Sequence, residues 1–227
     1  MDYFNTEALL RGLPYLWSGL QYTLLLTVVA STMGIFLGCL LALARLSSSK
    51  VLSRSAAVYV DFMRSTPLVL VIFWVFFVGP LVLQVVTGEE RPVSIGANVT
   101  AFVTFSIFEA AYFSEIIRSG IQGIPRGQIH AAQAMGLGYG QSMRFIILPQ
   151  AFRRVLPVLL TQIVNLFQDT SLVYVISATD FLGAASKLAQ RDGAITTMYV
   201  FVAIVYFVVC YALSKLTRRL HLRYASF

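Results

Sequence analysis

The sequence predicts an all-α integral membrane protein with five transmembrane helices, its N-terminus outside and its C-terminus in the cytoplasm. Three observations carry this reading. Of 227 residues, 58% are hydrophobic and 12% charged, with a mean hydropathy of +0.77, whereas soluble domains carry about 25% charge. The apolar residues gather into five runs, each of the roughly 20 residues that a bilayer span needs. The basic residues are shared unevenly between the two sides these runs define. Thirteen lie in segments 45–64, 118–154 and 215–223, and four (Arg11, Arg91, Lys187, Arg191) lie on the other side. Excess Lys and Arg mark the cytoplasmic side. The same clustering argues against reading the net charge of +7 as a nucleic-acid footprint, which would gather on one face.

Residues 1–17 mix Tyr3, Phe4, Leu9, Leu10, Leu13, Tyr15, Leu16 and Trp17 with Asn5, Glu7 and Arg11, an amphipathic segment suited to the membrane interface. The five-span domain covers residues 18–213. Its first span, 18–44, has no charge, is too long for a cleaved signal peptide, and carries Gly34-x-x-x-Gly38, a spacing that permits close helix approach. Ser47-Ser48-Ser49 marks a turn, and span two runs over 66–86 with Gly79-Pro80 expected to kink or loosen its outer part. Span three, 95–117, holds Glu109 near its middle. Glu115 and Arg118, three apart near its end, are placed to form an interfacial ion pair.

A cytoplasmic loop, 119–154, follows. Its alanine-rich run 129–135 reads as a short helix stopped by Gly136, and a second piece, 139–148, is expected to end near Pro149. Span four covers 155–176. An amphipathic stretch, 178–192, comes next, with Thr179 or Asp180 as N-cap and Gly193 as stop. Span five, 196–213, leads into a basic tail, 214–227. Cys39 and Cys210 fall inside apolar runs and suggest neither a disulfide nor a metal site.

Residues that could carry chemistry are few. His130 and His221 are far apart, there is no Cys-x-x-Cys pair, and no phosphate-binding G-x-x-x-x-G-K-[S/T] loop occurs. The chain is therefore expected to bind no metal, nucleotide or other cofactor itself, and a membrane-embedded enzyme is disfavoured. Glu109 is costly to bury at mid-bilayer and reads either as a pathway or gating group or as a structural acid hydrogen-bonded between helices. Thr161, Asn165, Gln168 and Asp169 share one face of span four. With Thr170 beside them, they line a pathway or bond to a neighbouring helix. No Lys or Arg lies in a span core, so a strong fixed site for an anionic group within these spans is not expected. The central loop reads as a compact knob offered to a partner, or as a cover for lipid headgroups.

His130-Ala131-Ala132, then Gly136, then Ile146-x-Leu148-Pro149 resembles the coupling motif of ABC-importer permeases, with His130 where that family has Glu. Arg64-Ser65-Thr66-Pro67-Leu68, Glu109-Ala110-Ala111-Tyr112 and Leu148-Pro149-Gln150-Ala151 resemble the polar amino acid branch. Phe167 to Val175 and Arg191-Asp192-Gly193 are most similar to its glutamate/aspartate importers. The resemblance runs from about residue 12 to 213. It implies a bacterial inner-membrane subunit importing an amino acid, without catalysis of its own. It further implies an extracytoplasmic amino-acid-binding protein, a second permease subunit of different sequence, and a cytoplasmic ATPase dimer that holds the ATP and Mg²⁺. His130, Ala131, Ala132, Gln133, Met135 and Gly136 would dock on that ATPase. The runner-up is a secondary transporter relaying protons through Glu109, against which stand the odd span count and the lack of internal repeats.

Overall fold

The structure, a computed structural model, describes residues 4–224 and the side chains of residues 4–220. Tyr3, the side chain of Arg223 and tail residues 225–227 lie outside the described residues. Every regular element among the described residues is helical, which suits a lipid-facing chain because a helix satisfies its backbone donors and acceptors internally. Among the described residues, five helices are long and apolar enough to cross a membrane: Thr6–Arg45, Leu68–Thr87, Ala97–Gln122, Tyr139–Ile176 and Ile195–Leu220.

Helix α1 (Thr6–Arg45) begins where the Asn5 side chain accepts the Ala8 N–H at 2.9 Å. It runs unbroken through Pro14, so the expected interfacial segment and first span are one helix. Its continuity rests on packing. Gly12 and Gly19 lie against Leu188 and Ala184 of α9 (Phe181–Asp192), so the first turns already bury a face. At about 60 Å, from a rise of roughly 1.5 Å per residue, α1 is twice the length a bilayer core demands. Further along, Gly34 and Gly38 let α1 settle onto α5 (Ala97–Gln122). A Cβ at Gly38 would stand 2.8 Å from the Phe113 Cβ.

The expected turn at Ser47–Ser49 caps a further helix. In α2 (Lys50–Ser65), Ser49 accepts from the Leu52 N–H, and Ala56 and Val60, four apart, bury one edge. Span two consists of α3 (Leu68–Phe73), a π-helical turn (Trp74–Val78) and α4 (Gly79–Thr87). The same device recurs ahead of span four, where α7 (Tyr139–Ser142), a π-helical turn (Met143–Ile147) and α8 (Leu148–Asp169) run together into the 3₁₀ turn Thr170–Ile176. Each π turn immediately precedes an X-Pro pair, and its last bond reaches five residues back, from Gly79 to Trp74 and from Leu148 to Met143. Proline pushes against the carbonyl four residues before it, and for Pro80 and Pro149 that carbonyl lies inside the widened turn. The helix therefore passes through Pro149, contrary to the expected stop.

Asp180, not Thr179, caps α9, accepting from Leu182 and Gly183, and Gly193 ends it at φ +63°. Helix α10 (Ile195–Tyr224) carries the basic tail onward as helix. One apolar cluster joins the early turns of α1 to α9 and α10 through Leu16, Phe181, Leu188 and Met198. Another joins α1, α3, α5 and α8 through Leu26, Ile72, Phe105 and Leu166.

Candidate functional site: an exposed knob and the polar groups behind it

Between α5 and α7 the chain forms a short helix, α6 (Arg126–Ala134). Its inner side carries Ile129 and the buried Ala132, over an apolar floor made by Ile124, Ile147 and Ala151. Its outer side presents His130, Ala131, Gln133 and Ala134, all exposed. Met135, 80% exposed, sits at the tip.

The reversal after α6 is a double-bonded cap. The Leu137 N–H donates to the Ala132 carbonyl at 3.1 Å and the Gly136 N–H to Gln133 at 2.9 Å, with Gly136 left-handed at φ +81°. This geometry favours glycine for its backbone alone, since a Cβ there would meet nothing within 4 Å. Two polar ties hold the knob to the bundle. Gln150 donates to the Gln128 side chain at 3.2 Å, and Arg154 donates to the Gly123 carbonyl at 2.5 Å. Of the six coupling candidates, five face outward and Ala132 faces in.

Glu115 and Arg118 form an ion pair, but a larger one than their spacing alone suggests. Arg45, from the end of α1, also bonds to the Glu115 carboxylate, and Arg64 of α2 comes within 4.0 Å while lying over the Tyr112 ring. One carboxylate thus ties α1, α2 and α5 together. Arg45 and Arg64 are separated from Glu115 by tens of residues, so spacing could not reveal them.

Glu109 is 1% exposed, beside Gly34 of α1. Its carboxyl accepts from Gln162 of α8 at 3.1 and 3.4 Å. Gln162 went unnoticed in the sequence because it lies off the Thr161–Asn165–Gln168 face. That face is open. Thr161, Asn165 and Gln168 are exposed, and Gln168 borders a groove of about 730 Å³ against Tyr206 and Tyr211 of α10. Asp169 is half-buried, whereas Thr170 is buried and donates to the Phe167 carbonyl at 2.7 Å, so Thr170 is not part of the open face. Among the described residues no group of His, Cys, Asp or Glu is placed to hold a metal.

Among the described residues, five membrane-length helices with a glycine-capped knob between the third and fourth define a multi-pass membrane protein. The chain belongs to the family of binding-protein-dependent transport system inner membrane components, whose pattern matches residues 34–225. Among its relatives, the Glutamate/aspartate import permease protein GltK of Escherichia coli O6:H1 is 48% identical over 98% of this chain and 99% of its own length. The Probable glutamine ABC transporter permease protein GlnP of Bacillus subtilis is 36% identical, over 93% of this chain and 94% of its own length. A solved amino acid ABC transporter with histidines superposes with a TM-score of 0.87 at 29% identity, covering 96% of this chain and 98% of that one.

Proposed function

We propose that this chain is the permease subunit of an ABC importer for glutamate and aspartate. The observation that carries the substrate is the near full-length 48% identity to a glutamate/aspartate import permease. Import of glutamine, histidine or arginine by the same mechanism is the alternative, and the more distant glutamine relative keeps it open. In this reading the thirteen basic residues of one side face the cytoplasm, which puts the N-terminus outside and the knob where an ATPase dimer can meet it. His130, Ala131, Gln133, Met135 and Gly136 make the contact, with Ala132 seating the helix on its floor.

The partners are a binding protein outside, a second and different permease, and the ATPase pair, which holds ATP and Mg²⁺ while this chain catalyses nothing. The open face of Thr161, Asn165 and Gln168, with Asp169 at its edge, lines the path. Glu109 ties α5 to α8 through Gln162 behind that face. ATPase closure moves α6, and the bundle follows as a body between two arrangements.

The test is uptake of radiolabelled glutamate by proteoliposomes holding the complete transporter. Uptake is expected only with the binding protein outside and ATP inside, and excess unlabelled aspartate abolishes it. Uptake driven by an ion gradient without ATP would overturn the reading.

A further inference from the structure

From Ile116 to Gln168 the chain contains no Asp or Glu but five arginines and a histidine. Two of the arginines are committed to the fold, Arg118 to Glu115 and Arg154 to the Gly123 carbonyl. Arg126, Arg144 and Arg153 are exposed, and no acid pairs with them among the described residues. Arg126 and His130 stand one helical turn apart on α6, so they share one face. That face is exposed, whereas Ile129 and Ala132 turn inward.

An imidazole is neutral or cationic and never anionic, so the outer side of α6 offers a docking partner positive charge, hydrogen-bond donors and the apolar tip of Met135. A partner that buried this face against basic groups would meet like-charge repulsion with nothing on the knob to offset it. Covering a membrane surface suits these charges less well. Met135 is exposed at the tip of a helix whose own apolar side is already occupied by the bundle.

We infer that the surface receiving α6 is an acidic groove on the ATPase, with carboxylates opposite Arg126 and His130. The inference rests on the permease reading above and adds the sign of the contact. It makes ATPase docking tighten at low ionic strength, and it makes Arg126 a determinant of which ATPase is accepted.

The experiment is titration of the purified cognate ATPase onto the permease pair in phosphatidylcholine nanodiscs, for wild type, Arg126→Gln and Arg126→Glu. Sodium chloride is varied from roughly 0.05 to 0.5 M, which shortens the range of exposed charges several-fold. The expected result is graded weakening, with Arg126→Glu losing about tenfold or more in affinity at low salt and the three proteins converging at high salt. Equal or tighter binding by Arg126→Glu, with the wild type insensitive to salt, would overturn the acidic groove while leaving the permease reading standing. Salt sensitivity that appears only in phosphatidylglycerol nanodiscs assigns the charges to lipid and also overturns it. Absence of any ATPase binding at all salts would overturn both readings.

Discussion

Gly38 and Gly136 are the same residue doing opposite physical work, and they stand for the two regions of the molecule. At Gly38, α1 lies so close to α5 that a side chain would strike the Phe113 Cβ and approach the Ser114 backbone N at 3.0 Å. Space is the constraint there. At Gly136 nothing lies within 4 Å, but φ is +81°, and conformation is the constraint. The first region is a close-packed seam that makes the spans one body. The second is an open knob whose shape is set by a cap. Damage to the seam is therefore expected to appear as loss of the protein, and damage to the knob as loss of coupling in a protein that still folds.

The largest effect is expected at the seam. Gly38→Leu forces apart two backbones and should cost about 3 kcal/mol or more, read as loss of the monodisperse peak when the detergent-solubilised complex is run on a sizing column. Glu115→Ala sits between the regions. It leaves Arg45 and Arg118 without their carboxylate, and removing hydrogen bonds to charged groups costs about 2 kcal/mol, seen as a lower thermal midpoint with the complex still assembled.

Gly136→Ala tests the knob. Left-handed geometry costs a non-glycine residue about 1 kcal/mol. The thermal midpoint of the bundle should barely move, while substrate-stimulated ATP hydrolysis falls. Gly136→Asn should restore part of it, because Asn tolerates that geometry better. A large drop in midpoint with Gly136→Ala would erase the distinction between the regions.

The smallest effect concerns Asp180, the cap of α9. Burial pushes its carboxyl up to about 6, against the pull of the Gly183 and Leu182 N–H groups and of Lys187. The folded protein therefore holds a proton there more tightly than the unfolded chain does. Stability from this group is greatest below pH about 4 and declines as pH rises towards 6. Asp180→Asn should flatten that slope in thermal midpoints measured across the same range.

Much of this was legible in the chain. The five spans follow from hydropathy alone, and the Gly136 stop follows from an alanine-rich run ending in glycine. Gly34 and Gly38 mark the seam by their spacing. Three features were hidden for identifiable reasons. Helix α2 is amphipathic, only 16 residues long and broken up by Lys50, Arg54, Asp61 and Arg64, so it made no membrane signal. Its cap, Ser49, and the buried pair Ala56 and Val60 were the available cues. The Pro149 stop failed because a π turn absorbs the proline, which only the backbone reveals. The partners of Glu115 and Glu109, namely Arg45, Arg64 and Gln162, depend on helix pairing across the bundle, which local spacing does not encode.

The proposed division of labour is that the knob couples while the seam holds. Its most direct test is Gly136→Arg in the complete transporter, reconstituted in liposomes with ATP inside and the binding protein outside. The expected result is a folded permease with an unchanged thermal midpoint, loss of ATPase retention on the purified permease pair, and no ATP-driven uptake. Intact assembly and undiminished uptake in that variant would contradict it.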